Sequence, residues 1–122
     1  MNSPRKGKTG LRRVWGALFH SLDGLAAAFR HEDAFRQEAV LALVLVPVAL
    51  WMPASGTAKA LMVGSVLLVL VVELLNSAIE AVTDRVSLEE HVLAKRAKDM
   101  GSAAVMMSLV NLLVTWILVL FD

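Results

Sequence analysis

"ALMVGSVLLVLVVELLNSAIEAVT", Ala60–Thr83, is the stretch that decides the fold. Its residues from Ala60 to Val72 carry no charge, and Glu73, Asn76 and Glu80 follow, with Asp84 just beyond. As a helix it would run about 36 Å, enough to cross a hydrocarbon layer of about 30 Å. At about 100° per residue, Glu73, Asn76, Glu80 and Asp84 fall within a sector of about 80°. The segment therefore reads as a membrane crossing, expected over residues 58–83, that carries one polar stripe at one end.

Working outward, "PASGT" (Pro53–Thr57) is a tight turn, and Ala39–Met52 before it is apolar throughout except for Pro47. Flanking residues extend that run to a first crossing at 34–56. A membrane helix tolerates Pro47 because neighbouring groups re-satisfy the freed carbonyl. Trp51 suits the interfacial aromatic belt. On the other side, Met100–Phe121 has no charge and is long enough to span, giving a third crossing at 99–121 after a cytoplasmic loop at 84–98. Near the start, Leu11, Val14, Trp15, Leu18, Leu22, Leu25 and Phe29 recur at helical spacing, with Arg12, Arg13, His20 and Asp23 elsewhere on the wheel. Residues 11–30 read as an amphipathic helix lying in the membrane surface. Residues 1–10 read as a disordered basic tail.

Composition agrees. Of 122 residues, 57% are apolar, against roughly 45–50% in soluble domains, and so small a soluble protein could not bury them. With no cysteine there is no disulfide framework, thiolate metal site or cysteine nucleophile. The net charge of +1 does not suggest a nucleic-acid partner. No cleaved signal peptide is read. "GKT" at Gly7–Thr9 lacks the earlier glycine and the strand of a phosphate loop, since Asn2 stands where that glycine belongs. The fold class is thus an all-α membrane protein of three transmembrane helices plus an N-terminal amphipathic surface helix.

Basic residues set the expected orientation. Arg5, Lys6, Lys8, Arg12, Arg13, Arg30 and Arg36 precede the first crossing, while Arg85, Lys95, Arg96 and Lys98 lie between the second and third. Only Lys59 lies near the turn between the first two, and none follows the third. The positive-inside rule puts the amino terminus and the 84–98 loop in the cytoplasm, and Asp122 outside. Counted from Thr57, Glu73 is about 24 Å down the axis and Glu80 about 35 Å, so both reach the inner boundary. Glu32 and Glu38 end the first crossing at that level, and Lys98 and Asp99 begin the third.

Ionised groups at such depth are costly unless paired or coordinated. Clustered carboxylates repel, and a hard divalent cation such as Mg²⁺, shared with phosphate oxygens, relieves them. The residue types meet the needs of phosphoryl transfer. Carboxylates can hold Mg²⁺, Lys98 and the arginines can neutralise phosphate, and a partly desolvated Glu73 can take the proton from an attacking hydroxyl. Blander roles stand beside this. Glu32, Glu38, Glu89 and Glu90 can be solvated ends, and Glu80 and Asp84 can pair with Arg85 or Lys95. Asn111 reads as interhelical glue, Ser102 and Ser108 as close-packing positions, and Trp116 as a packing or lipid-facing residue. His20, His31 and His91 show no metal spacing. Glu73, with apolar neighbours on both sides, resists the bland reading most.

"VELLNSAIEAVTDR" (Val72–Arg85), "AKDMGSAAV" (Ala97–Val105) and "EDAFRQE" (Glu32–Glu38) closely resemble the bacterial integral-membrane diacylglycerol kinases. The resemblance covers nearly all of the chain after the tail. It implies a homotrimer in the inner membrane, with sites formed between subunits, that phosphorylates diacylglycerol with Mg·ATP. It implies Glu73 as catalytic base, with Glu32 and Glu80 holding divalent ions. Asn76, Lys98 and Asp99 would contact nucleotide phosphates or orient Glu73, and Arg13 would contact phosphate. Glu89, Glu90 and His91 match a nucleotide-contacting stretch, and His20 takes a nucleotide-contacting position. Ser102 would line the lipid site together with Glu38, Glu73 and Trp116, although the role of Glu38 is undefined. Gly16 stands where the family pattern has a lysine, and His20 and Glu90 where it has tyrosines. Those changes bear on the adenine contacts. His20 can still stack, Arg12 can replace the lost charge, and the carboxylate core is complete. Two rivals remain at this point: phosphorylation of undecaprenol by the same core, and a non-catalytic cation-binding membrane protein.

Overall fold

The computed structural model describes residues 10–86 and 91–122. The expected tail up to residue 9 and the positions of Glu89 and Glu90 lie outside them. Four helices follow in order: α1 (Leu11–His31), α2 (Asp33–Trp51), α3 (Gly56–Thr83) and α4 (His91–Leu120). Three of them, α2, α3 and α4, are long and apolar enough to cross a membrane. Among the described residues the fold is all-helical, with three candidate membrane spans.

The connections explain the boundaries. Glu32 alone separates α1 from α2, with extended backbone at φ −118° and ψ 108°. Its N–H still donates to Ala28 O at 2.9 Å, and its carbonyl accepts from Arg36 N at 3.1 Å. The Arg36 guanidinium turns back over this corner. Nη1 donates to the carbonyls of Phe29 at 3.0 Å and Arg30 at 2.9 Å, and Nη2 pairs with Asp33. A cation thus satisfies the last carbonyls of α1, where the helix dipole is negative. At the other turn, Ser55 caps α3, its Oγ accepting from Ala58 N at 3.1 Å. Pro47 sits within α2 without ending it.

The largest helix contact is between α3 and α4, followed by α2 with α3, and α1 touches α2 and α3 lightly. Met62, Val66 and Val69 of α3 form a buried seam against Phe35, Ala42 and Ala49 of α2 and Gly101 and Ser108 of α4. Spacings of three, four and seven put each set on one face of its helix. Near the far end of this seam, the Trp116 indole Nε1 donates to Ser65 Oγ at 3.1 Å and lies 3.3 Å from Met62 O. Such a bond between neutral groups contributes about 1 kcal/mol. Leu43, Leu67, Met106, Met107 and Leu118 all face outward. A surface this apolar requires lipid or another apolar chain around it.

The 84–98 segment is loop for only part of its length. The chain is helical from His91 onward, so Lys95 and Lys98 project from α4 rather than from a loop. Ala94, Lys95, Arg96, Ala97 and Lys98 are all strong helix formers, and Lys95 bonds Asp99 one turn on at 2.7 Å.

Candidate active site between α2, α3 and α4

Glu73 is the one carboxylate buried in the core of the described residues, at 5% exposure. Its surroundings follow from the α3 seam: Val69, Val66 and Met62 lie one, two and three turns before it on the same face. The Glu38 carboxyl of α2 lies beside it, close enough for direct interaction, and Glu38 Oε2 is buried without a hydrogen-bond partner. Two carboxylates held together in apolar surroundings repel unless a cation or a proton intervenes. Glu38, for which the resemblance gave no role, is therefore the nearest acidic neighbour of the expected base. No sequence spacing connects them, because they stand on different helices.

Further along α3, Asn76 and Glu80 are half-buried, and Asn76 Oδ1 is buried without a partner. Glu80 lies within electrostatic reach of Lys98. Lys98 Nζ bonds Asp84 Oδ1 at 2.6 Å, tying the end of α3 to α4. Asp84 therefore pairs with neither Arg85 nor Lys95, since Lys95 bonds Asp99 instead. Lys98, the lysine expected to neutralise phosphate, is already balanced by an aspartate, as is Lys95. Both pairs are substantially exposed and so contribute little to stability. They remain available for exchange with a stronger anion.

Glu32 borders a cleft of about 710 Å³ between α1 and α3. Leu25, Ala28, Leu74, Ala78 and Ala81 make its walls apolar, and His31 and Ser77 add polar edges. Ser77 Oγ is buried without a partner. The sequence reading assigned Ser77 nothing; its place between Asn76 and Glu80, on the next sector of the helix, was the available signal. A second apolar cavity of about 290 Å³, with Glu38 in its lining, lies among α2, α3 and α4.

Other expected site residues are not gathered here. Arg13 and His20 are exposed on α1, about 28 Å and 18 Å along that helix from Glu32. His91 opens α4 and is exposed, as is Ser102. Trp116 packs on Ser65 and Met62, about 12 to 16 Å up α3 from Glu73.

Among the described residues of one protomer, no three His, Asp or Glu side chains are close enough to hold a metal ion. A protein cage is not what Mg²⁺ requires, because it is usually bound through one or two carboxylates plus substrate phosphates. The hard oxygens of Glu32 and Glu80 match that chemistry.

Comparison with known proteins identifies the family. The family model for prokaryotic diacylglycerol kinase matches residues 19–120. The chain is 56% identical over 118 residues to a diacylglycerol kinase of Pseudomonas aeruginosa, covering 97% of this chain and 96% of that one. It is 47% identical to the Escherichia coli K12 diacylglycerol kinase, covering 93% of both chains. A Helicobacter pylori diacylglycerol kinase is 42% identical, over 93% of this chain and 88% of its own. The match takes in α2, α3 and α4 and the buried Glu73 with its neighbours, and the chain belongs to the prokaryotic diacylglycerol kinase family.

Proposed function

We propose that this protein transfers the γ-phosphoryl group of Mg·ATP to the primary hydroxyl of diacylglycerol, giving phosphatidic acid and ADP. The observation that carries the reading is a buried Glu73 from which Asn76 and Glu80 lead along α3 to charged groups at its end. A lipid-borne hydroxyl and a water-borne phosphate can meet only at such a junction.

Glu73 takes the proton as the hydroxyl oxygen forms its bond to the γ-phosphorus, and the bond from that phosphorus to the bridging oxygen of ADP breaks. Glu38 borders the base and the acceptor. Glu32 and Glu80 would hold Mg²⁺, which when bound neutralises charge on the phosphate oxygens. Asn76 orients the base or the phosphates. Lys98 and Asp99 exchange their ion pairs for contacts with nucleotide. The apolar cavity among α2, α3 and α4, with Glu38 in its lining, suits an acyl chain of the acceptor, with Ser102 and, deeper in the span, Trp116 along the lipid. The relatives' shared name favours diacylglycerol over undecaprenol as acceptor.

The reading places α1 in the inner face of the cytoplasmic membrane as an amphipathic helix, with Asp122 outside. It also takes the assembly as a homotrimer. The distance from Arg13 and His20 to Glu32 supports sharing, because these side chains can serve a site only on a neighbouring protomer if they serve one at all. Glu89, Glu90 and His91 would add nucleotide contacts.

Purified protein given labelled ATP is expected to label diacylglycerol in preference to undecaprenol, and only with Mg²⁺ present. No transfer to either lipid would refute the kinase reading, and preferred transfer to undecaprenol would replace the acceptor. Size exclusion in detergent is expected to place activity in a trimeric peak. An active species found only as monomer would defeat the shared site. In intact cells, an impermeant thiol reagent is expected to reach a cysteine put in place of Asp122, and failure to react would reverse the orientation.

A further inference from the structure

Gly101, three turns into α4, is buried where that helix packs on α3. A glycine inside a helix is less favourable than alanine, so its presence asks for a reason. Backbone conformation does not supply one, since Gly10 is the positive-φ glycine among the described residues. Space does. A Cβ built on Gly101 would overlap Asn76 Oδ1, stand 3.3 Å from Asn76 Cγ and touch Ile79 Cδ1 at 3.8 Å. Gly16, Gly24, Gly56 and Gly64 would meet nothing within 4 Å.

The overlapped atom is the one already noted as buried without a hydrogen-bond partner. The outer torsion of an asparagine is broad, so without a bond to hold it the carboxamide goes where there is room. Gly101 supplies that room on the α4 side. On the α3 side, Asn76 lies one turn from both Glu73 and Glu80 and on the same stripe.

We infer that Gly101 is a positioning residue, whose missing side chain lets the Asn76 carboxamide occupy the α3–α4 interface in the orientation that the site uses. This rests on the reading of Asn76 given above. Any side chain at 101 turns the carboxamide or separates the helices.

The test is a double-mutant cycle on the full chain: Gly101→Ala, Asn76→Ala and both together. Each is followed by kcat, by KM for ATP and for diacylglycerol, and by thermal unfolding in detergent. Gly101→Ala is expected to lower kcat by about 10²-fold, the scale of a misplaced site group, with KM for diacylglycerol little changed. In the Asn76→Ala background the same substitution is expected to change kcat little, because the group it displaces is gone. Wild-type kcat in Gly101→Ala, or two losses that multiply in the double variant, would overturn the inference while leaving Asn76 in the site. Wild-type kcat in Asn76→Ala would overturn the reading of Asn76 and the inference with it. If Gly101→Ala alone does not fold, the double variant is expected to unfold at the temperature of Asn76→Ala. A double variant equally unable to fold would refute the steric account.

Discussion

Glu73→Gln is expected to lower turnover by about 10²- to 10⁴-fold, the range that a positioned general base contributes. The substitution keeps the size and shape of the side chain and removes its ability to accept a proton. Folding should survive. Glu73 has the Glu38 carboxyl as its neighbour and no basic partner among the ion pairs of the described residues. Losing one member of a like-charged pair relieves repulsion rather than stranding a counter-charge. Binding of Mg·ATP should also survive, because the proposed metal and phosphate contacts lie on other residues. The check is turnover measured beside thermal unfolding and nucleotide binding on one preparation. A variant that keeps most of its activity would remove Glu73 as the base. A variant that fails to unfold cooperatively would make the loss one of folding.

Glu80→Gln should act differently. If Glu80 holds Mg²⁺ beside the phosphates, the neutral amide is a weaker ligand. The Mg²⁺ concentration for half-maximal rate is expected to rise by at least about tenfold, with a lower maximal rate. A magnesium titration of initial rate separates this from loss of the base, which would lower the plateau without moving the midpoint. An unchanged midpoint would exclude Glu80 as a ligand. Lys98 gives a further control, since it lies near Glu80 but is bonded to Asp84, so its placement should not depend on the substitution.

What could be read from the sequence depended on whether one helix or two were needed. The three crossings follow from apolar runs alone, and the stripe of Glu73, Asn76, Glu80 and Asp84 from the period of a single helix. Survival of α2 through Pro47 was likewise a property of one element. Pairings across helices were not legible. Asp84 meets Lys98 rather than Lys95 because α4 begins at His91, which fixes the faces on which the two lysines emerge. Glu38 beside Glu73 needed the register between α2 and α3, which no spacing within either helix contains. Gly101 had no reading of its own beside the close-packing Ser102, since a sequence records a missing side chain but not whose atoms fill the space. The corner made by Arg36 was hidden differently: the residue counted as a positive charge setting orientation, while its bonds to Phe29 and Arg30 depend on the break at Glu32 four residues earlier.

That corner has no slack. A single extended residue joins α1 to α2, and the guanidinium on one grips the carbonyl end of the other. An added or deleted residue there could not bulge out as surface loops do. It would swivel the whole Leu11–His31 segment by about 100° and exchange its greasy flank for its charged one. Related chains should therefore keep this junction at constant length.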